Sequence, residues 1–101
     1  MAEEPIRRQL QVINPQGMHA RPAALLVKLA NQFKCEIDLI KDNMRVDAKS
    51  ILNLMTLAAE QGTILHMEAR GVDAAAAADA IEKLFLGGLG DLDEPPSVPE
   101  Q

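Results

Sequence analysis

One short segment concentrates the groups that can handle an anion. Gly17-Met18-His19-Ala20-Arg21-Pro22 places an imidazole just after a turn, two residues before a guanidinium, at the beginning of a stretch with helical spacing. The first N–H groups of a helix, here those of Ala20 and Arg21, lack an intrahelical acceptor. They can bind phosphate oxygens, and the positive end of the helix dipole favours an anion there. The same dipole disfavours imidazolium, leaving His19 a lone pair for attack on phosphorus. Arg21 can offer paired charge-assisted hydrogen bonds to the transferring group. Gly17 removes a side chain where another protein's reactive centre must come close. Phosphoryl transfer depends chiefly on in-line positioning and charge stabilisation, so these few groups suffice if a donor protein supplies the rest. A solvated cap histidine has the same local sequence, and motif chemistry alone leaves both readings open.

The elements around this segment follow from hydrophobic periodicity. Ile6, Leu10 and Val12 share one parity, with Gln9 and Gln11 on the other, which predicts a strand. Asn14-Pro15-Gln16-Gly17 supplies four consecutive turn formers and leaves His19 beyond an exposed loop. From Pro22, which suits a first helical turn, Leu25, Leu26, Leu29, Ala30 and Phe33 line one side of a helix. Residues 36–41 and 44–47 read as two strands of a hairpin across the Asp42-Asn43 turn. Ser50 can cap a second helix whose face carries Ile51, Leu54, Met55 and Ala58, with Gly62 as its end. Leu65, Met67 and Ala69 alternate with Ile64, His66 and Glu68 in a further strand. A last helix spans about Asp73 to Leu86, stopped by Gly87-Gly88. The order βαββαβα predicts an α+β open-faced sandwich, a four-stranded antiparallel sheet with three helices on one face.

Length and composition bound the rest. The 101 residues accommodate one domain, expected over 1–90, while the acidic, proline-rich segment 91–101 reads as a disordered tail. Asp91, Asp93 and Glu94 are expected there as solvated charge; they lack calcium-loop spacing. With no Trp or Tyr and two Phe the core must be aliphatic, and base stacking has little to work with. A net charge of −5 repels nucleic acid and anionic membrane surfaces. No stretch has the ~20 apolar residues of a membrane span, and residues 1–10 lack the apolar run of a signal peptide. The lone Cys35 forms no internal disulfide and reads as a small buried filler. These features point to the cytoplasm. A zinc site would need His19, His66 and Cys35 to converge from separate elements without ligand spacing, so no metal and no cofactor is expected.

Taken together, Gly17-Met18-His19-Ala20-Arg21-Pro22-Ala23-Ala24 resembles the active-site signature of HPr, the histidine-containing phosphocarrier family of the phosphoenolpyruvate-dependent sugar phosphotransferase system. Lys49-Ser50-Ile51-Leu52, followed by Leu54, Leu57 and Ala58, resembles the family's regulatory serine segment, and the likeness runs from roughly Arg8 to Leu86. The resemblance implies a carrier rather than an enzyme. Enzyme I would donate to Nδ1 of His19, Arg21 would stabilise the phosphate, an enzyme IIA domain would accept, and HPr kinase/phosphorylase would modify Ser50. A monomer is expected. Met18, Ile51, Leu54 and Met55 are candidate docking residues near both sites, although an apolar stripe at helical spacing is as readily core. The turn Asp42-Asn43-Met44 lacks the family's glycine, and the C-terminal extension has no counterpart in the minimal domain. The rival reading is a regulatory module, of the nitrogen-related branch or controlled through Ser50, acting by protein binding; the presence of His19 with Arg21 favours the carrier.

Overall fold

The computed structural model describes residues 4–91. Strand β1 (Ile6–Gln11), helix α1 (Ala20–Ala30), strands β2 (Glu36–Lys41) and β3 (Met44–Asp47), helix α2 (Ile51–Thr56), strand β4 (Ile64–Arg70) and helix α3 (Ala74–Leu86) follow in the expected βαββαβα order. The four strands form one antiparallel sheet in the order β1-β4-β2-β3. Because strand side chains alternate, Leu65, Met67 and Ala69 of β4 are buried beneath the helices, and Ile64 and His66 face outward. Leu10, Ile37, Leu39 and Val46 continue the inner surface on the other strands. Arg8 shares the inner parity of β1 but lies where α3 crosses the edge strand, and its guanidinium meets Glu82 and Asp79 at 2.6 and 3.0 Å. The core is aliphatic apart from Phe85, as the composition requires.

The helices depart from their sequence readings in instructive ways. In α1 the buried face is Pro22, Ala23, Leu26 and Ala30, whereas Leu25 is exposed. Helix α2 is shorter than its apolar spacing suggests, capped at Leu57 and followed by Ala58 at a φ of 49°, well before Gly62. Its carbonyl end is closed instead by the Lys41 ammonium, which donates to Leu57 O and Ala58 O at 2.9 and 3.4 Å, a cation at the negative end of a helix.

Helix α3 ends in a Schellman motif: Leu89 N–H donates to Leu84 O at 2.8 Å and Gly88 N–H to Phe85 O at 2.9 Å. Gly88, Leu89 and Gly90 then take successive positive φ values of 80, 58 and 70°. The left-handed run reverses the chain, buries Leu89 in the core, and sends Asp91 back toward the start of α1. The remaining tail positions, Asp93 and Glu94 among them, lie outside the described residues.

Candidate functional site

The loop before α1 is tied down at each step. Gly17 N–H closes a turn onto Asn14 O at 3.1 Å, and Met18 N–H reaches across to Ala59 O at 2.8 Å. Gly17 has a φ of 70°, and a Cβ placed on it would stand 2.4 Å from Ala59 O and 2.9 Å from Glu60 Cα. The glycine is therefore required by close approach of the protein's own backbone, which corrects the expectation that it clears space for a partner. His19 follows as the N-cap of α1, in extended conformation, and its carbonyl accepts from Ala23 N–H at 3.0 Å. Its side chain makes no cap hydrogen bond, so the imidazole is free for other work. No backbone acceptor for the Ala20 and Arg21 N–H groups occurs among the described residues, as the helix geometry dictates.

The imidazole, 33% exposed, places Nε2 3.0 Å from Oδ2 of Asp91. Arg21 donates to Oδ1 of the same carboxylate at 2.5 Å, and Asn14 Nδ2 donates to Oδ2 at 3.0 Å. Asp91 is thus the hub of the site. Its side chain is only 4% exposed, contrary to the expectation of solvated tail charge, and the reason is tertiary: the positive-φ run after α3 delivers it there. These donors hold its carboxyl well below the usual carboxylate range, the His19 hydrogen bond contributing most, then Arg21, then Asn14, with desolvation opposing them. An ionised carboxylate can only accept, so Nε2 carries the proton and Nδ1 of the neutral ring has the lone pair. Asn14 also donates to Gly17 O at 2.8 Å, which leaves its buried Oδ1 without a partner. Sequence reasoning read Asn14 only as a turn former and missed its second task.

Ser50 is the N-cap of α2, its hydroxyl accepting from Asn53 N–H at 3.2 Å. The candidate docking residues divide. Met18 and Leu54 are buried in the core, so they present no surface to a partner; the alternative that apolar spacing means burial holds for Leu54. Ile51 and Met55 are exposed, together with Leu52, which at 79% exposure is the most open of the three. Cys35 is buried, and its thiol is pushed up to about 11 by burial and by Asp73. His66 lies on the outer sheet face, and no metal-ligand cluster occurs among the described residues.

Residues 6–86 match the family described as PTS HPr component phosphorylation site. The chain belongs to the HPr family. Similar HPr-family proteins include the phosphocarrier protein HPr of Treponema pallidum, 46% identical over 78 residues, covering 77% of this chain and 89% of the relative. The HPr-like protein Crh of Bacillus subtilis is 42% identical over 79 residues, covering 78% and 89%. The crystal structure of HPr-C-His from Thermoanaerobacter tengcongensis superposes with a TM-score of 0.82 at 37% identity, covering 86% of this chain and 98% of that one. The HPr of that organism has also been solved as a dimer, with a TM-score of 0.68 at 39% identity, covering 89% and 99%, so a monomer is not general among these relatives. Membership of the HPr family supports a phosphocarrier role in the phosphotransferase system, in a family that also holds HPr-like Crh proteins. No helix among the described residues is long and apolar enough to cross a membrane.

Proposed function

We propose that the chain accepts a phosphoryl group on Nδ1 of His19 from phosphorylated enzyme I and passes it to an enzyme IIA domain of the sugar phosphotransferase system. The observation that carries this reading is the hydrogen bond of Nε2 to Asp91, which leaves Nδ1 as the basic nitrogen at the N-terminus of α1. The Nδ1 lone pair forms the new bond to phosphorus, and the bond from phosphorus to the donor atom breaks with its electrons leaving on the donor. Arg21, which is exposed, is placed to pair with the phosphoryl oxygens. The N–H groups of Ala20 and Arg21 offer further donors at the positive end of the helix. Transfer to the acceptor reverses the same step. Exposed Ile51, Leu52 and Met55 form the docking surface, since α2 packs against α1. Ser50 is the regulatory position at which HPr kinase/phosphorylase would add a second phosphate, placing a charge of about −2 beside that surface. The reading places the protein in the cytoplasm, where these partners act.

The test is intact mass after incubation with enzyme I and phosphoenolpyruvate, with His19→Ala as control and an acid treatment. Gain of one phosphate that acid removes and the variant never acquires supports the carrier. No gain with an enzyme I active on another carrier overturns it.

A further inference from the structure

Asp91 stands outside both motifs that mark the site, yet His19, Arg21 and Asn14 all hydrogen-bond to it. We propose that Asp91 is a positioning residue for His19: its carboxylate holds the imidazole in the Nε2–H tautomer, aims Nδ1 outward, and balances the positive charge the ring acquires on attack. The inference deepens the carrier reading and rests on it for the identity of the reacting nitrogen.

Three independent features indicate that this contact is built. The first is the backbone that delivers it. Gly88, Leu89 and Gly90 are all at positive φ. A leucine in that region is conformationally disfavoured, and Leu89 is nonetheless held there, buried. A Cβ at Gly90 would come 2.6 Å from Leu25 Cδ1, so the glycine lets the chain pass close over α1. The second is Asn14, which is fully buried and whose amide nitrogen donates both to Gly17 O in the loop before α1 and to Asp91, so that one buried side chain joins the carboxylate to the loop that carries His19. The third is the division of the carboxylate, one oxygen serving the imidazole and the other serving Arg21.

The chemistry follows from the charges. When the neutral ring attacks through Nδ1, the product is an N-phosphorylated imidazolium with its proton still on Nε2. The carboxylate against Nε2 stabilises that cation, as a buried aspartate does for an imidazole that must become charged. The phosphoryl group brings its own negative charge to the neighbourhood of Oδ1, where Arg21 already lies and can be shared between the two anions. Asp91 thereby lowers the barrier without touching phosphorus.

Phosphoramidate tests this without any partner protein. Its P–N bond breaks as Nδ1 bonds to phosphorus, and ammonia leaves with the bonding pair. On the full chain, imidazole ¹⁵N shifts report the tautomer at alkaline pH, and ³¹P NMR reports which nitrogen is phosphorylated. The expected result is an Nε2–H ring phosphorylated on Nδ1 in the parent protein. Asp91→Ala should mix the tautomers, yield phosphoryl on Nε2 as well, and slow Nδ1 phosphorylation by about tenfold, the loss of about 1.4 kcal/mol of transition-state stabilisation. Asp91→Glu should recover part of each. An Asp91→Ala variant with native circular dichroism, the parent tautomer, the parent regiochemistry and the parent rate overturns the proposal. If phosphoramidate behaves as expected while enzyme I does not donate, the carrier reading fails and the role of Asp91 stands.

Discussion

Replacing Gly17 with alanine should damage the site through its own backbone, and Gly62→Ala provides the control that isolates the cause. Both glycines have positive φ, 70° and 92°, but a Cβ at Gly62 meets nothing within 4 Å, whereas at Gly17 it would stand 2.4 Å from Ala59 O. Gly62→Ala therefore carries only the conformational term, about 1–2 kcal/mol. Gly17→Ala carries the same term and must also push the loop off Ala59 and Glu60. That movement breaks the 2.8 Å Met18 N–H to Ala59 O bond, worth about 1 kcal/mol, and shifts Met18 in a tightly packed core, about another 1 kcal/mol or more. The expected difference between the variants is about 2 kcal/mol, or about 8–16 °C in Tm for a domain of this size. Urea and thermal unfolding by far-UV circular dichroism measure it, since the chain has no Trp or Tyr to follow by fluorescence. Gly17→Ala should also accept phosphate more slowly than Gly62→Ala, because the displaced loop carries His19. Equal destabilisation of the two variants would refute the close-approach argument and return Gly17 to the partner-facing role that its sequence position suggested.

Three further outcomes follow from the same geometry. Ser50→Ala removes the cap on Asn53 N–H and should lower stability by about 1 kcal/mol in denaturant titration, while leaving phosphorylation of His19 intact. Asp91 and Glu68, the latter paired chiefly with Arg45, both have carboxyl groups held below their ordinary values. Their contribution to stability is full above the unfolded carboxylate range near pH 4 and is lost as pH falls toward the depressed folded values, so Tm should drop on acidification and Asp91→Asn should flatten part of that drop. Cys35, with its thiol pushed up to about 11, stays protonated and buried at pH 8, so alkylation by iodoacetamide should be slow in the native protein and rapid in urea; because the folded value is the higher one, this thiol weakens folding only as pH rises above about 9.

The order of elements was readable in the sequence because it depends on local regularities. Period-two alternation in residues 6–12 and 64–70, helical spacing after Pro22, the Asp42-Asn43 turn and the glycines after Leu86 each act within a few residues of where they are written. The same locality exposed His19 and Arg21, whose placement relies on one turn and one helix start. Apolar spacing could not say which of Met18, Ile51, Leu54 and Met55 would be covered, because burial depends on what packs above them; Met18 and Leu54 went into the core and Ile51 and Met55 did not. Nor could it stop α2 at Thr56, where Lys41 from a neighbouring strand closes the carbonyl end. The carboxylate against the imidazole was the least legible feature. Asp91 is 72 residues from His19 and sits in an acidic stretch whose composition resembles solvated tail. Whether an acidic side chain meets solvent or a histidine is decided by where the end of α3 lands against the start of α1, and that depends on the packing of the whole domain.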